Sequence, residues 1–262
     1  VAPSPSGVLD TRAPDEFHAL FATTKGSFVL AIRRALAPLA ADRLWVLLNR
    51  GFYNGCRLHR VLPGFAVQFG LAADAGLNRE WTPRVLPDET RRASNTVGAV
   101  GFATSGPSSR STQLFIHTGH NEWLDHMPHQ SLVPMGSVEA GMGVVLALNA
   151  AYGDSVNQAA LAAGGEAYAA RAAPFLDKIL LAMPVAPREP ARPRVQMVDK
   201  STQVSDGVAS TQRTPSTVAG EGADPREAAR HEIEIYLAKV AAWEDAELYE
   251  ARIAELESTG CG

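Results

Sequence analysis

Cysteine is scarce: the chain has two in 262 residues, Cys56 and Cys261. That excludes a disulfide framework; Cys56 reads as a small core residue and Cys261 as a free tail thiol. Long apolar runs are absent, so no segment has the length to span a bilayer. Strong charge of either sign is absent too. The net charge is −4, which argues against nucleic acid or an anionic membrane as the main partner. No internal repeat is visible. What remains is ordinary globular material, 46% hydrophobic and 20% charged, enough for a sizeable core. The chain opens with Val1, which fits removal of a leading segment. A soluble protein is expected, with its compartment open and an organelle among the destinations.

Residues 1–14 are small, polar and Pro-containing, and read as an irregular arm. Strand alternation starts at Glu16, turns at Thr24-Lys25-Gly26 and resumes over Phe28 to Ile32, a hairpin pattern. Pro38 suits a first helical position, and Leu39, Leu44, Leu47 and Leu48 recur at helical spacing until Gly51. Residues 71–94 read as loop. Strands are expected over Gly98 to Thr104, Gln113 to His117, Leu132 to Val138 and Phe175 to Met183, with a short helix from Gly141 to Leu148. Residues 154–173 are rich in Ala and Gly with no clear period. Pro184, Pro187, Pro190 and Pro193 then recur every three residues, opening a Pro-rich and polar linker over 184–224. Residues 225–262 carry an amphipathic helical pattern, with Tyr236, Val240, Trp243, Tyr249, Ile253 and Leu256 on one stripe. Such a stripe needs a partner surface, so linker and helix point to a protein partner and a larger assembly.

The stretch from Leu58 to Gly70 alternates apolar and polar residues on both sides of Pro63-Gly64, which reads as two short strands around a tight turn. If Arg60, Phe65 and Gln68 share a face, they form a cationic, hydrogen-bonding floor beside an apolar wall. His59-Arg60-Val61, Pro63-Gly64-Phe65, Gln68 and Gly70 resemble the signature of cyclophilin-type peptidyl-prolyl isomerases. Asn95 to Gly98 with Ala103 to Pro107, Ser111 to Ile116, and Trp123-Leu124-Asp125 resemble three further motifs of that family, in the same order. The resemblance covers about residues 17–183. It implies a mainly β fold, a closed eight-stranded antiparallel barrel capped by two helices, within a domain set at 15–183.

It also implies an activity, isomerisation of X–Pro bonds in proline-containing peptides or protein clients, with no cofactor and no metal. Carried over by position, Arg60 matches the catalytic arginine. Gln68 and Gln113 match polar groups that orient it or bind substrate backbone, Gln68 counting with the catalytic pair. Phe65, Phe115 and Leu124 match walls of the proline pocket, and Trp123 the indole at its rim. Ala103 and Thr104 match the strand that pairs with substrate. Two positions depart: Ala66 replaces a larger wall residue, and Leu132 takes the place of a pocket His or aromatic, with His126 and His129 as other candidates. The departures leave a second reading, a catalytically idle subunit of this fold serving as a scaffold. The pairs His117/His120 and His126/His129 suggest zinc spacing, but no Cys or carboxylate completes it, so they read as solvated loop histidines.

Overall fold

Alternation with a turn at Thr24-Lys25 builds the first hairpin. Strands β1 (Glu16–Thr23) and β2 (Gly26–Arg33) pair in register from Glu16↔Arg33 to Thr23↔Gly26. Gly26 takes φ 121°, and the buried Thr23 hydroxyl donates to its carbonyl at 2.7 Å. The computed structural model describes residues 11–127 and 132–185. The linker past Val185, the helix expected over 225–262, Cys261, His129 and the first ten residues of the arm lie outside the described residues. The rest of the arm is docked: Ala13 is buried, and its N–H donates to Asp42 at 2.8 Å, a carboxylate that also holds Arg34.

Helix α1 (Pro38–Asn49) starts on proline and has no side-chain cap of its own. Glu89, far along the chain, supplies one: its carboxylate accepts from Leu39 N at 2.7 Å and Ala40 N at 3.2 Å, which suits the positive end of a helix. Gly51, at φ 63°, ends the helix as the spacing predicts. Ala40, Ala41, Leu44, Leu47 and Leu48 face the core, whereas Leu39 lies off that stripe and is exposed.

The central stretch folds as β3 (Arg60–Leu62) and β4 (Ala66–Phe69) around Pro63-Gly64. Then follow β5 (Ala99–Phe102), β6 (Leu114–His117), a 3₁₀ helix (Glu122–His126), β7 (Pro134–Ala140), α3 (Met142–Leu146) and β8 (Ile179–Val185). Two helices were not expected. The loop assigned to 71–94 contains α2 (Ala75–Trp81), started by Asp74, whose side chain accepts from Gly76 N at 2.6 Å. The stretch without period contains α4 (Gln158–Ala172), started by Asn157 and bent at Gly165. A side chain at Gly165 would meet the Ala73 carbonyl, which bonds instead to Glu166 N at 2.9 Å.

Among the described residues eight strands join one antiparallel sheet in the order β3-β4-β6-β5-β7-β2-β1-β8. The sheet curls, but the closed barrel expected from the resemblance is corrected to an open one. β3 has three residues and β8 meets the loop before it, not β3 itself. The seam consists of Gly55 N to Ile179 O at 2.8 Å, Ile179 N to Cys56 O at 2.9 Å and Leu58 N to Asp177 O at 3.0 Å. Arg57, bonded to Glu166, reinforces it. β8 also runs through Pro184, which the linker was expected to claim; proline is tolerated on the end strand of a sheet. Among the described residues four helices and a 3₁₀ turn accompany the sheet where two capping helices were expected; α1 and α3 pack on it, and α2 packs on α4. Inside the sheet, Phe21 stacks on Phe28 and meets Tyr53 and Phe69 edge-on. Among the described residues no helix is long and apolar enough to cross a membrane.

Arg110 ties the 71–94 segment to this body. Its side chain is fully buried and bonds Glu89 at 3.0 Å and the Pro87 carbonyl. Removing one member of a buried pair strands the other charge. Arg110→Ala is therefore expected to cost about 3 kcal/mol in denaturant unfolding and to fray the start of α1; an unchanged unfolding midpoint would refute this account of the anchor.

Candidate active site

Register assembles the site. Arg60 lies opposite Gln68, Gln68 opposite Phe115, and Phe115 opposite Gly101, so one cross-strand row runs over β3, β4, β6 and β5. Directly paired residues share a face, and so do residues two apart on one strand. Gln113, Phe115 and His117 therefore stand on the face of Arg60 and Gln68, while Val67 and Phe69 point into the core. Gly101 makes room: a Cβ there would lie 3.2 Å from the Phe115 ring and 2.5 Å from the Val133 carbonyl.

The row is hydrogen-bonded. Gln113 Oε1 accepts from Gln68 Nε2 at 2.8 Å, and Gln68 Oε1 accepts from the Arg60 guanidinium at 3.4 Å. Gln68 thus has a fixed amide orientation, with its oxygen aimed at the arginine. The guanidinium carbon stands 5.7 Å from the Phe65 ring centre, and that ring stacks on Trp123 at 6.4 Å. Phe65 and Arg60 are half-buried; Trp123 is 54% exposed and forms the open rim. Phe115, Leu124 and Ala66 are buried and apolar. The arrangement is a cation beside apolar side chains, with an exposed indole at its edge.

The other expected site residues are placed as follows. The Ala103 N–H is taken by the Gln113 carbonyl at 2.8 Å. The Thr104 hydroxyl bonds within its own loop, to Gly106 O at 2.6 Å and Ser109 Oγ at 2.9 Å, so any pairing with a peptide there falls to backbone. Leu132 is half-buried, and its carbonyl accepts from Asn95 at 3.4 Å.

The histidines need correction. His117 is on β6, 1% exposed, with its ring 4.6 Å from the Phe115 ring. It is not a solvated loop residue. Its ring nitrogens meet Asn95 at 2.9 Å and Asn121 at 2.7 Å. His120 and His126 are exposed. Among the described residues no three His, Cys, Asp or Glu side chains cluster to hold a metal. Sequence reasoning missed the support that His117 and Asn121 give the site. The available signal was parity: His117 follows Phe115 by two, so it shares the pocket face.

Electrostatics follow from burial. Burial lowers His117 to about 4, against the opposing pull of the Phe65 carbonyl, Asp125 and Glu122. Burial also lowers His59, next to the arginine, to about 4, and the Arg60 charge adds to this. Neither His59 ring nitrogen has a hydrogen-bond partner of good geometry. Burial pushes the Asp125 carboxyl up, but hydrogen bonds from Ser94 and Asn95 and the charge of Arg91 outweigh it and hold the group low. Burial pushes the Cys56 thiol well up, so it is inert.

A guanidinium hydrogen-bonded to one amide, a second amide behind it and buried apolar side chains beside it make up the candidate site. The family described as cyclophilin type peptidyl-prolyl cis-trans isomerase matches residues 18–162, more than half of the chain. Peptidyl-prolyl cis-trans isomerase A of Dickeya dadantii is 33% identical over 129 residues, which cover 48% of this chain and 68% of that protein. Peptidyl-prolyl cis-trans isomerase-like 1 of Aspergillus niger is 29% identical over 131 residues, 48% of this chain and 76% of that protein. The chain belongs to the cyclophilin-type peptidyl-prolyl cis-trans isomerase family.

The two buried histidines set a pH dependence. Folded, each takes a proton only near pH 4, whereas an unfolded histidine takes one near 6.5. The unfolded chain binds more protons between those values, so stability rises with pH across that window and is lost on acidification. Lowering the pH from 7 to 5 is expected to cost roughly 2 kcal/mol per histidine in urea unfolding. A flat profile over this range would contradict the neutral, buried state of both rings.

Proposed function

We propose that this chain accelerates cis–trans exchange of X–Pro bonds in protein clients, with Arg60 stabilising the twisted amide. Resonance keeps the bond planar behind a barrier of about 18–20 kcal/mol, and exchange without a catalyst takes on the order of tens of seconds. Twisting localises the lone pair on the prolyl nitrogen, which becomes pyramidal and basic. A guanidinium that donates there interacts more strongly with the twisted state than with the planar one, and only such a difference lowers the barrier. Arginine suits the task because it stays charged and presents a rigid fork of donors.

The observation that carries the reading is the position of Arg60, held at one end by Gln68 and lying over the Phe65 ring. In this reading Phe65, Phe115 and Leu124 grip the prolyl ring while Trp123 shields the rim. Ala66 makes one wall shallow. Ala103 and Thr104 line the approach of the peptide backbone, and Gln113 fixes Gln68. No proton is transferred and no covalent intermediate forms, so the chemistry calls for no cofactor. A scaffold with an idle pocket would be better served by a filled recess; the half-buried Phe65 and exposed Trp123 favour the isomerase instead.

The test is exchange of a short X–Pro peptide with wild type and Arg60→Ala. Wild type should accelerate it, and the variant should lose about 100-fold or more in kcat/KM while still binding peptide. Folded wild type that binds the peptide without accelerating exchange would overturn the proposal in favour of the scaffold.

A further inference from the structure

The sheet supplies Arg60, Gln68, Ala66 and Phe115, but Phe65, Trp123 and Leu124 do not stand on it. Phe65 sits after the β3–β4 turn, and Trp123 and Leu124 sit on the 3₁₀ helix. Side chains on loops hold a geometry only as well as their support does. The support is one unbroken line of buried polar groups. The Phe65 carbonyl accepts from Thr118 N at 2.9 Å and from Asn121 Nδ2 at 2.7 Å. Asn121 Nδ2 also donates to His117 Nδ1 at 2.7 Å. His117 Nε2 meets Asn95 Oδ1 at 2.9 Å, and Asn95 Nδ2 donates to Asp125 Oδ1 at 2.6 Å. Asp125 directly follows Leu124 and is also held by Ser94 and Arg91.

The two ends of this line accept only: a peptide carbonyl at Phe65 and a carboxylate at Asp125. Both asparagines must therefore turn their NH₂ groups toward those ends. That leaves His117 facing a donor at Nδ1 and an acceptor at Nε2, so a neutral ring with its proton on Nε2 is the one form that completes every bond. A proton on Nδ1 would confront Asn121 Nδ2, and turning the Asn121 amide would then set its oxygen against the Phe65 carbonyl. His117, Asn95 and Asn121 are all nearly fully buried, so water cannot repair a mismatch. The loops also abut: a side chain at Gly119 would collide with the Gly64 carbonyl.

We propose that His117 is a positioning residue of the isomerase site, linking the Phe65 turn to the 3₁₀ helix of Trp123 and Leu124 and so setting the width of the proline recess. This rests on the isomerase reading above. At 1% exposure the ring does not meet substrate; it acts through the walls and through the face of Phe115 on which it packs. The charged groups around it are Asp125 and Glu122 from the 3₁₀ helix and Arg91 ahead of Asn95, whose charge is spent on Asp125.

His117→Phe keeps a ring against Phe115 and cuts both hydrogen bonds, while His117→Gln restores a donor and an acceptor. His117→Phe is expected to weaken X–Pro peptide affinity about tenfold, the size of one lost hydrogen bond, with kcat changed less than about threefold. His117→Gln should recover most of that affinity, and nitrogen NMR of wild type at neutral pH should show the Nε2–H tautomer. Folded His117→Phe with wild-type affinity, His117→Gln as weak as His117→Phe, or an Nδ1–H tautomer would each overturn the proposal. If His117→Phe does not fold, Asn121→Ala cuts the same line at Phe65, and unchanged affinity there would overturn it equally. A wild type that binds peptide through a His117-dependent recess but does not speed exchange would sink the isomerase reading and leave this one standing.

Discussion

The site depends on holding one flexible cation still. Arg60 has a long side chain on a three-residue strand at the end of the sheet, and nothing in its own strand immobilises it. Its order comes from across the sheet. Gln113 on the segment leading into β6 fixes Gln68 on β4, and Gln68 offers its oxygen to Arg60 on β3. Each bond is worth little alone, about 1 kcal/mol net. Their value is directional: the chain of donors and acceptors ties one edge of the guanidinium to the sheet. Preorganisation of this kind is what makes a charge useful against a transition state. The register of β3, β4 and β6 is therefore a functional constraint. A slip by one residue would turn Arg60 into the core and Val61 into the groove.

Much of the remaining polar structure serves the geometry around that row. Part of the apolar wall, Phe65 and Leu124, stands on two connecting segments outside the strands, and such segments need ties. Buried amides and a neutral histidine provide them behind Phe65 and Leu124, and Arg110 with Glu89 does the same for the long connection beside α1. Such interior polar groups cost desolvation and yield little net stability. What they give is a single arrangement, because each can satisfy its partners in only one way. Gly101, Gly119 and Gly165 act in the same direction by letting backbone or ring approach where a side chain would not fit.

The sequence made the row legible and left its support obscure. Arg60, Phe65 and Gln68 fall within thirteen residues with alternation around a Pro-Gly turn, so period and motif point to one face. The first hairpin and α1 were equally readable, since Thr24-Lys25-Gly26, Pro38 and Gly51 are local signals. α2 and α4 were not. Their starts carry ordinary caps, Asp74 and Asn157, but α2 is seven residues long and α4 is too rich in Ala and Gly to show an apolar stripe. His117 was misread because its burial is set by Asn95 and Asn121, residues far apart or on a different element, and no local pattern announces them. The barrel seam also escaped, because it is made by irregular backbone around Gly55 and Lys178 instead of a strand ladder.

A double-mutant cycle between Arg60 and Gln68 tests most directly the claim that the row acts as one device, read as kcat/KM for an X–Pro peptide. If Gln68 works by aiming the guanidinium, Gln68→Ala should cost about tenfold in wild type and close to nothing in the Arg60→Ala background, a coupling on the order of 1 kcal/mol. Equal losses in both backgrounds would mean that the two residues act independently, and the account of the row as the organising element would be wrong.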